Sequence, residues 1–132
     1  MTLTNISKKE FGGIKMRKQI IGNFAHTFKQ FYEGVNGYSE HDVPAIQNEL
    51  TIKFANGSKV VYTGHINVRQ HPTIFGQYTI NVGILDDNGW CGNVWPKLNV
   101  EYGLIDSQPA DEITYMSGQT GELFILRYKE EE

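Results

Sequence analysis

The amino-acid sequence predicts an α+β domain: an N-terminal amphipathic helix packed on a twisted, mainly antiparallel sheet or partial barrel of about six strands. Three observations carry that expectation. Ile20, Phe24, Phe28 and Phe31 recur at spacings of four, four and three, a single stripe on a helix. From Glu49 onward apolar and polar residues alternate, the period of a half-buried strand. Short turns rich in Gly, Asn and Asp separate the alternating runs, so an antiparallel meander is the economical topology.

The helix is expected from Lys18 to Glu33, with Lys18, Lys29 and Gln30 off the stripe and an end near Gly34. A second reading starts it after Asn23 as N-cap and makes "KQIIG" a short strand; periodicity leaves both open. Gly34, Asn36, Gly37 and Pro44 then mark a loop into the sheet. Leu50, Ile52 and Phe54 alternate with Glu49, Thr51 and Lys53, and Asn56-Gly57 supplies a hairpin turn. The returning strand sets Val60, Tyr62, Ile66 and Val68 against Val61, Thr63, His65, Asn67 and Arg69, with Gly64 as a bulge or close-packing point. Tyr78, Ile80, Val82 and Ile84 oppose Gln77, Thr79, Asn81 and Gly83, and Asp87-Asn88-Gly89 is the next turn. Leu98, Val100, Tyr102 and Leu104 form another alternating set. Two last strands, around Ile113 to Met116 and Glu122 to Tyr128, flank a turn from Gly118 to Gly121. Residues 1–15, with Gly12-Gly13, are expected as a loosely held arm before a single domain over 16–132. A helix laid into a curved antiparallel sheet resembles the nuclear-transport-factor-like and cystatin-like folds, a likeness of element order that does not fix function.

Composition removes several function classes. The 132 residues suffice for one domain with its own core, and 39% apolar against 20% charged residues is the balance of an ordered globular chain. Lys+Arg 12 against Asp+Glu 15 gives a charge of -3, without the basic footprint that extended nucleic acid requires. Cys91 is the only cysteine, so internal disulfides and thiolate zinc sites are out and a reducing cytoplasm fits best. The N-terminal stretch has no long apolar run, so no signal peptide or membrane span is expected. Neither GxGxxG nor a P-loop occurs, and no cofactor is expected. His26, His41, His65 and His71 lack ligating spacing, which leaves no expected metal site, and "HPT" is a single copy where two-histidine phosphodiester chemistry needs two. Asp86 and Asp87 precede Cys91 and should raise its thiol pKa, against a nucleophilic role.

The polar rows hold the candidate site. Antiparallel pairing would bring Thr63, His65, Asn67 and Arg69 onto one face with Gln77, Thr79 and Asn81. That face is either a solvated outer surface or a polar lining, with Arg69 for an anionic group and amides for hydrogen bonds. Trp90 and Trp95, five apart, fall on opposite faces by alternation, one closing a core and one standing at a loop rim as a stacking surface. Phe75, in the Pro72 to Gly76 loop, is a second stacking candidate. The expected binding set is therefore Arg69, Phe75, Trp90, Asn93 and Trp95, supported by Thr63, His65 and Asn67.

The expected function is non-enzymatic: sequestration of a small, nucleotide-like ligand or inhibition of a protein target, in the manner of a phage or mobile-element accessory protein. The rival is a small cavity enzyme of nuclear-transport-factor-like architecture, with His65 or Glu101 as general base and Tyr62, Tyr78 or Tyr102 as proton donor. A third expectation is a homo-oligomer joined through an exposed sheet edge. An enzyme needs an enclosed cavity with a desolvated base, whereas a binder exposes aromatics and Arg69 at an open rim.

Overall fold

Strand alternation governs most of the described residues. A computed structural model describes residues 10–11, 14–15, 17–37 and 48–130. It contains β1 (Glu10–Phe11), β2 (Ile14–Lys15), β3 (Arg17–Ile20), α1 (Phe28–Gly37), β4 (Glu49–Phe54), β5 (Lys59–Gln70) and β6 (Gln77–Asp86). There follow β7 (Gly89–Val94), β8 (Lys97–Asn99), β9 (Leu104–Ile105), β10 (Gln108–Met116) and β11 (Leu123–Glu130). Every pairing is antiparallel. The order β10-β4-β5-β6-β8-β9 closes on itself where Gln108 and Pro109 meet Ile105 and Leu104, giving a six-strand barrel. Beyond β10 the sheet continues through β11 to β3.

The fold is thus a closed, mostly-β barrel with one short helix among the described residues, not an N-terminal helix packed on a sheet. Lys18 to Ile20, helix in the first reading and strand in the second, belong to β3, which pairs with β11 from Arg127↔Ile20 to Glu130↔Arg17. The helix starts at Phe28 because Thr27 and Gln30 form a reciprocal capping box: Gln30 Oε1 accepts the Thr27 N–H at 2.9 Å and Thr27 Oγ1 accepts the Gln30 N–H at 3.2 Å. Asn23 is therefore not the cap, although the short strand of that second reading is present. Of the four-residue apolar stripe only Phe31 is buried, and Phe24 lies exposed in a turn at φ 69°. A strand partner more than a hundred residues away outweighed the local period.

The helix also runs past Gly34 to Gly37. Gly34 is a packing glycine, since a Cβ there would collide with the Phe124 ring. Through this close approach Phe31 and Val35 join the buried core. Asn36 acts as a substitute strand for β5, its Oδ1 accepting the Val68 N–H at 2.8 Å and its Nδ2 donating to the Val68 carbonyl at 3.0 Å. The expected loop at Pro44, together with His41, lies outside the described residues, as does Gly12-Gly13.

The hairpin at Asn56-Gly57 forms as expected, with Leu50 opposite Tyr62 and Ile52 opposite Val60. Gly64 is the close-packing point: a Cβ there would strike the Gly83 carbonyl oxygen, and φ is +150°. Leu98 to Leu104 is not one strand. Asn99 Oδ1 accepts the Tyr102 N–H and Gly103, at φ 65°, reverses the chain, so β8 folds back on β9 with Leu98 opposite Ile105. Inside the ring Ile52, Ile66, Val68, Ile80, Leu98 and Ile113 are almost fully buried. Each such side chain stabilises the fold by about 1.5–3 kcal/mol. Among the described residues, no helix is long and apolar enough to cross a membrane.

Candidate binding face on strands β5 to β8

β5 and β6 pair with Asn67 opposite Asn81, Arg69 opposite Thr79 and His65 opposite Gly83. The intervening Ile66, Val68, Ile80 and Val82 are buried, so the polar rows share the outer surface of the barrel, as their alternation requires. Thr63 continues this row on β5, where it faces Glu49 of β4. On the other side of β6, Asn93 lies opposite Gly83 and Lys97 opposite Thr79. The same count sets Trp95 opposite Asn81.

The tryptophans do not fall on opposite faces. Between Gly92, opposite Ile84, and Trp90, opposite Leu85, β7 carries one extra residue, Cys91. That bulge shifts the alternation by one, so Trp90 turns to the same outer face as Asn93 and Trp95. Both rings are exposed, Trp90 at 67% and Trp95 at 58%, and neither closes the core. The indole N–H of Trp90 donates to Asn93 Oδ1 at 2.9 Å, spanning the bulge. Gly83 forms a low floor here: a Cβ would meet His65 Cβ at 3.7 Å and Asn93 Oδ1 at 3.6 Å.

A polar network runs beside this floor. Asn81 Nδ2 donates to Asn67 Oδ1 at 2.9 Å, and Arg69 Nε approaches the same oxygen at 3.4 Å. One acceptor thus orients two donors, and the rest of the Arg69 guanidinium faces solvent for a bidentate partner. Of the eight sequence-derived site residues, the barrel gathers Thr63, His65, Asn67, Arg69, Trp90, Asn93 and Trp95 on one face. Phe75 stands apart at 93% exposure in the β5–β6 loop, beyond Gln70. Sequence reasoning assigned no role to Gly83 and left Asn81 outside the binding set; their importance emerges only from register.

The remaining candidates have local duties. His71 Nδ1 accepts the N–H groups of Ile74 at 2.9 Å and Thr73 at 3.1 Å, folding the loop that carries Phe75. His26 Nδ1 accepts the Ile125 N–H at 3.1 Å. His65 and Glu101 are exposed, so neither is a desolvated base. A hydrogen bond between Cys91 and Asp86 pushes the thiol up from its ordinary value, as the acidic neighbours imply, and draws Asp86 down. Among the described residues no three His, Cys, Asp or Glu side chains converge on a cation position.

No protein-family model matches the chain, and neither a curated protein nor a solved structure matches it at a significant level.

Proposed function

We propose that the chain is a non-enzymatic binding module that captures a protein target on the outer face of β5 to β8 and inhibits or sequesters it. The observation that carries this reading is the exposure of Trp90 and Trp95 on one face with Arg69, His65 and Asn93. Trp and Arg dominate binding hot spots because each presents a wide, rigid surface with a polar handle. A small ligand needs most of its surface enclosed, and this face is open; the geometry therefore favours a protein over a nucleotide-like molecule. An accessory inhibitor of phage or mobile-element type fits the scale of a single barrel. The cytoplasm suits the exposed, unpaired thiol of Cys91, which stays reduced there.

Native mass spectrometry of the protein drawn from its host lysate tests the reading. A retained protein of defined mass is expected, and it should be lost when Trp90→Ala and Trp95→Ala are combined. Retention by the double variant would sink the assignment of this face. A small-molecule adduct in place of a protein would replace the target class.

A further inference from the structure

A second site lies at one end of the barrel, apart from the tryptophan face. A cavity of about 320 Å³ is lined there by Phe28, Gln70, Phe75, Tyr78, Val100 and Glu101. Its volume falls within the roughly 300–1,000 Å³ of small-molecule sites. Phe28, the first residue of α1, and Tyr78 of β6 make a tilted pair with ring centroids 4.5 Å apart and planes at 56°. Tyr32 braces both, at 5.8 Å from Phe28 and 5.7 Å from Tyr78. Phe75 adds a third lining ring that packs on almost nothing, being 93% exposed.

The rim is held in place. The Val100 N–H donates to the Gly76 carbonyl at 2.9 Å, and the Val100 carbonyl accepts the Tyr128 hydroxyl at 2.7 Å. With both its backbone groups engaged, Val100 fixes where Glu101 begins. Glu101 is the single ionisable carboxylate of the lining, and among the described residues it has no ion-pair or hydrogen-bond partner.

Ring faces carry partial negative charge and attract cations, and a carboxylate beside them adds a full one. An anion would meet Glu101 at close range. The N-terminus of α1 presents only about half a positive charge, screened at the surface, so Glu101 sets the sign of the site. The walls offer few acceptors, Gln70 and Glu101 alone among the lining side chains apart from the Tyr78 hydroxyl. A cation rich in N–H groups would therefore lose hydrogen bonds on entry, and one clothed in methyl groups would not.

We propose that this cavity binds an alkylated ammonium group, seated against Phe28 and Tyr78, covered by Phe75 and neutralised by Glu101. The inference is independent of the protein-capture reading. Titration of the full chain, followed by backbone amide NMR, tests it with tetramethylammonium, choline, the uncharged choline isostere in which carbon replaces nitrogen, and a peptide carrying trimethylated lysine. Saturable shifts at Gly76, Tyr78 and Val100 are expected with the cations, and the uncharged isostere should bind about tenfold more weakly. Glu101→Gln and Phe75→Ala should each weaken choline binding several-fold. Both side chains are exposed, so the variants retain the fold, which unchanged amide spectra elsewhere verify. Higher affinity for choline assigns the site to a free metabolite, and higher affinity for the peptide assigns it to a modified protein. Equal affinity for cation and isostere, or no saturable shift at these amides, overturns the proposal.

Discussion

Two regions of the same sheet present opposite surfaces to solvent. On the outer side of β4, β10 and β11 the charges are engaged with one another: Glu112 accepts from Arg127 at 2.8 Å and lies 3.5 Å from Lys53. Arg17, almost fully buried, reaches Asp111 at 2.7 Å and the Tyr128 carbonyl at 3.3 Å. A groove of about 560 Å³ runs along this wall, but Lys53 and Arg127, which line it, already face Glu112. On the outer side of β5 to β8, by contrast, two indoles stand exposed and, among the described residues, the Arg69 side chain hydrogen-bonds only to Asn67. The first wall pairs most of its charged groups with one another, Arg17 Nε being buried without a partner among the described residues; the second holds its groups in register and leaves them available. That asymmetry is the physical content of the binding assignment.

The strongest way to break the comparison is at the residue that joins the walls. β5 pairs with β4 up to Thr63 and with β6 from Gly64 onward. Gly64→Val would place a branched side chain against the Gly83 carbonyl at a backbone angle that side chains rarely adopt. A loss of at least about 3 kcal/mol is expected, read from the denaturant midpoint. A midpoint within error of the parent would mean that β5 and β6 do not approach as described. The next largest effect separates binding from stability. Trp90→Ala or Trp95→Ala should each cost about 2 kcal/mol or more of target affinity. The same variants should change unfolding free energy by less than about 0.5 kcal/mol, since neither ring fills the core. A substantial loss of stability would place a tryptophan in the fold's framework.

On the charged wall the signature is pH. Burial pushes the Glu112 carboxyl upward, but the hydrogen bond from Arg127 and the charges of Lys53 and Arg127 outweigh it, holding the group below its ordinary 4.5. A carboxyl depressed in the folded state contributes stability that is present above its unfolded value and lost as pH falls through its folded one. Glu112→Gln should therefore cost about 1 kcal/mol at neutral pH, the partners being partly exposed. The difference from the parent should shrink as pH drops below the ordinary value. A constant difference across that window would deny Glu112 its ionic role.

The two walls were also unequally legible. The β4–β5 hairpin announces itself through Leu50, Ile52 and the Asn56-Gly57 turn, and the polar rows of β5 and β6 follow from alternation alone. What the sequence hides is whatever depends on distant partners. Lys18 to Ile20 fit a helix as well as a strand until β11 offers an edge, and barrel closure rests on Leu104–Ile105 meeting Gln108–Pro109, segments too short to show any period. Gly34 reads as a helix stop because nothing local reveals the Phe124 ring beside it. At the site, seven of the eight expected residues meet because strand parity fixes their face, but one inserted residue reverses the expected separation of the tryptophans. Phe75 has no strand to place it, and its loop carries it to the barrel end instead.

That inserted residue offers the smallest and most local test. Cys91 is exposed at the bulge that turns Trp90 onto the open wall. Its thiol is raised chiefly by the hydrogen bond to Asp86, the last residue of β6, to which the aspartate's charge adds. Asp86→Asn removes the charge and weakens the acceptor, so the thiolate fraction at mildly alkaline pH should rise. Alkylation of Cys91 should then run a few-fold faster than in the parent, with the melting curve unchanged because both groups are at the surface. An unchanged alkylation rate would show that Asp86 does not engage the thiol. The bulge would then be held by the β6–β7 backbone pairing, the Trp90–Asn93 bond and the contact of the Cys91 thiol with the Gly89 carbonyl.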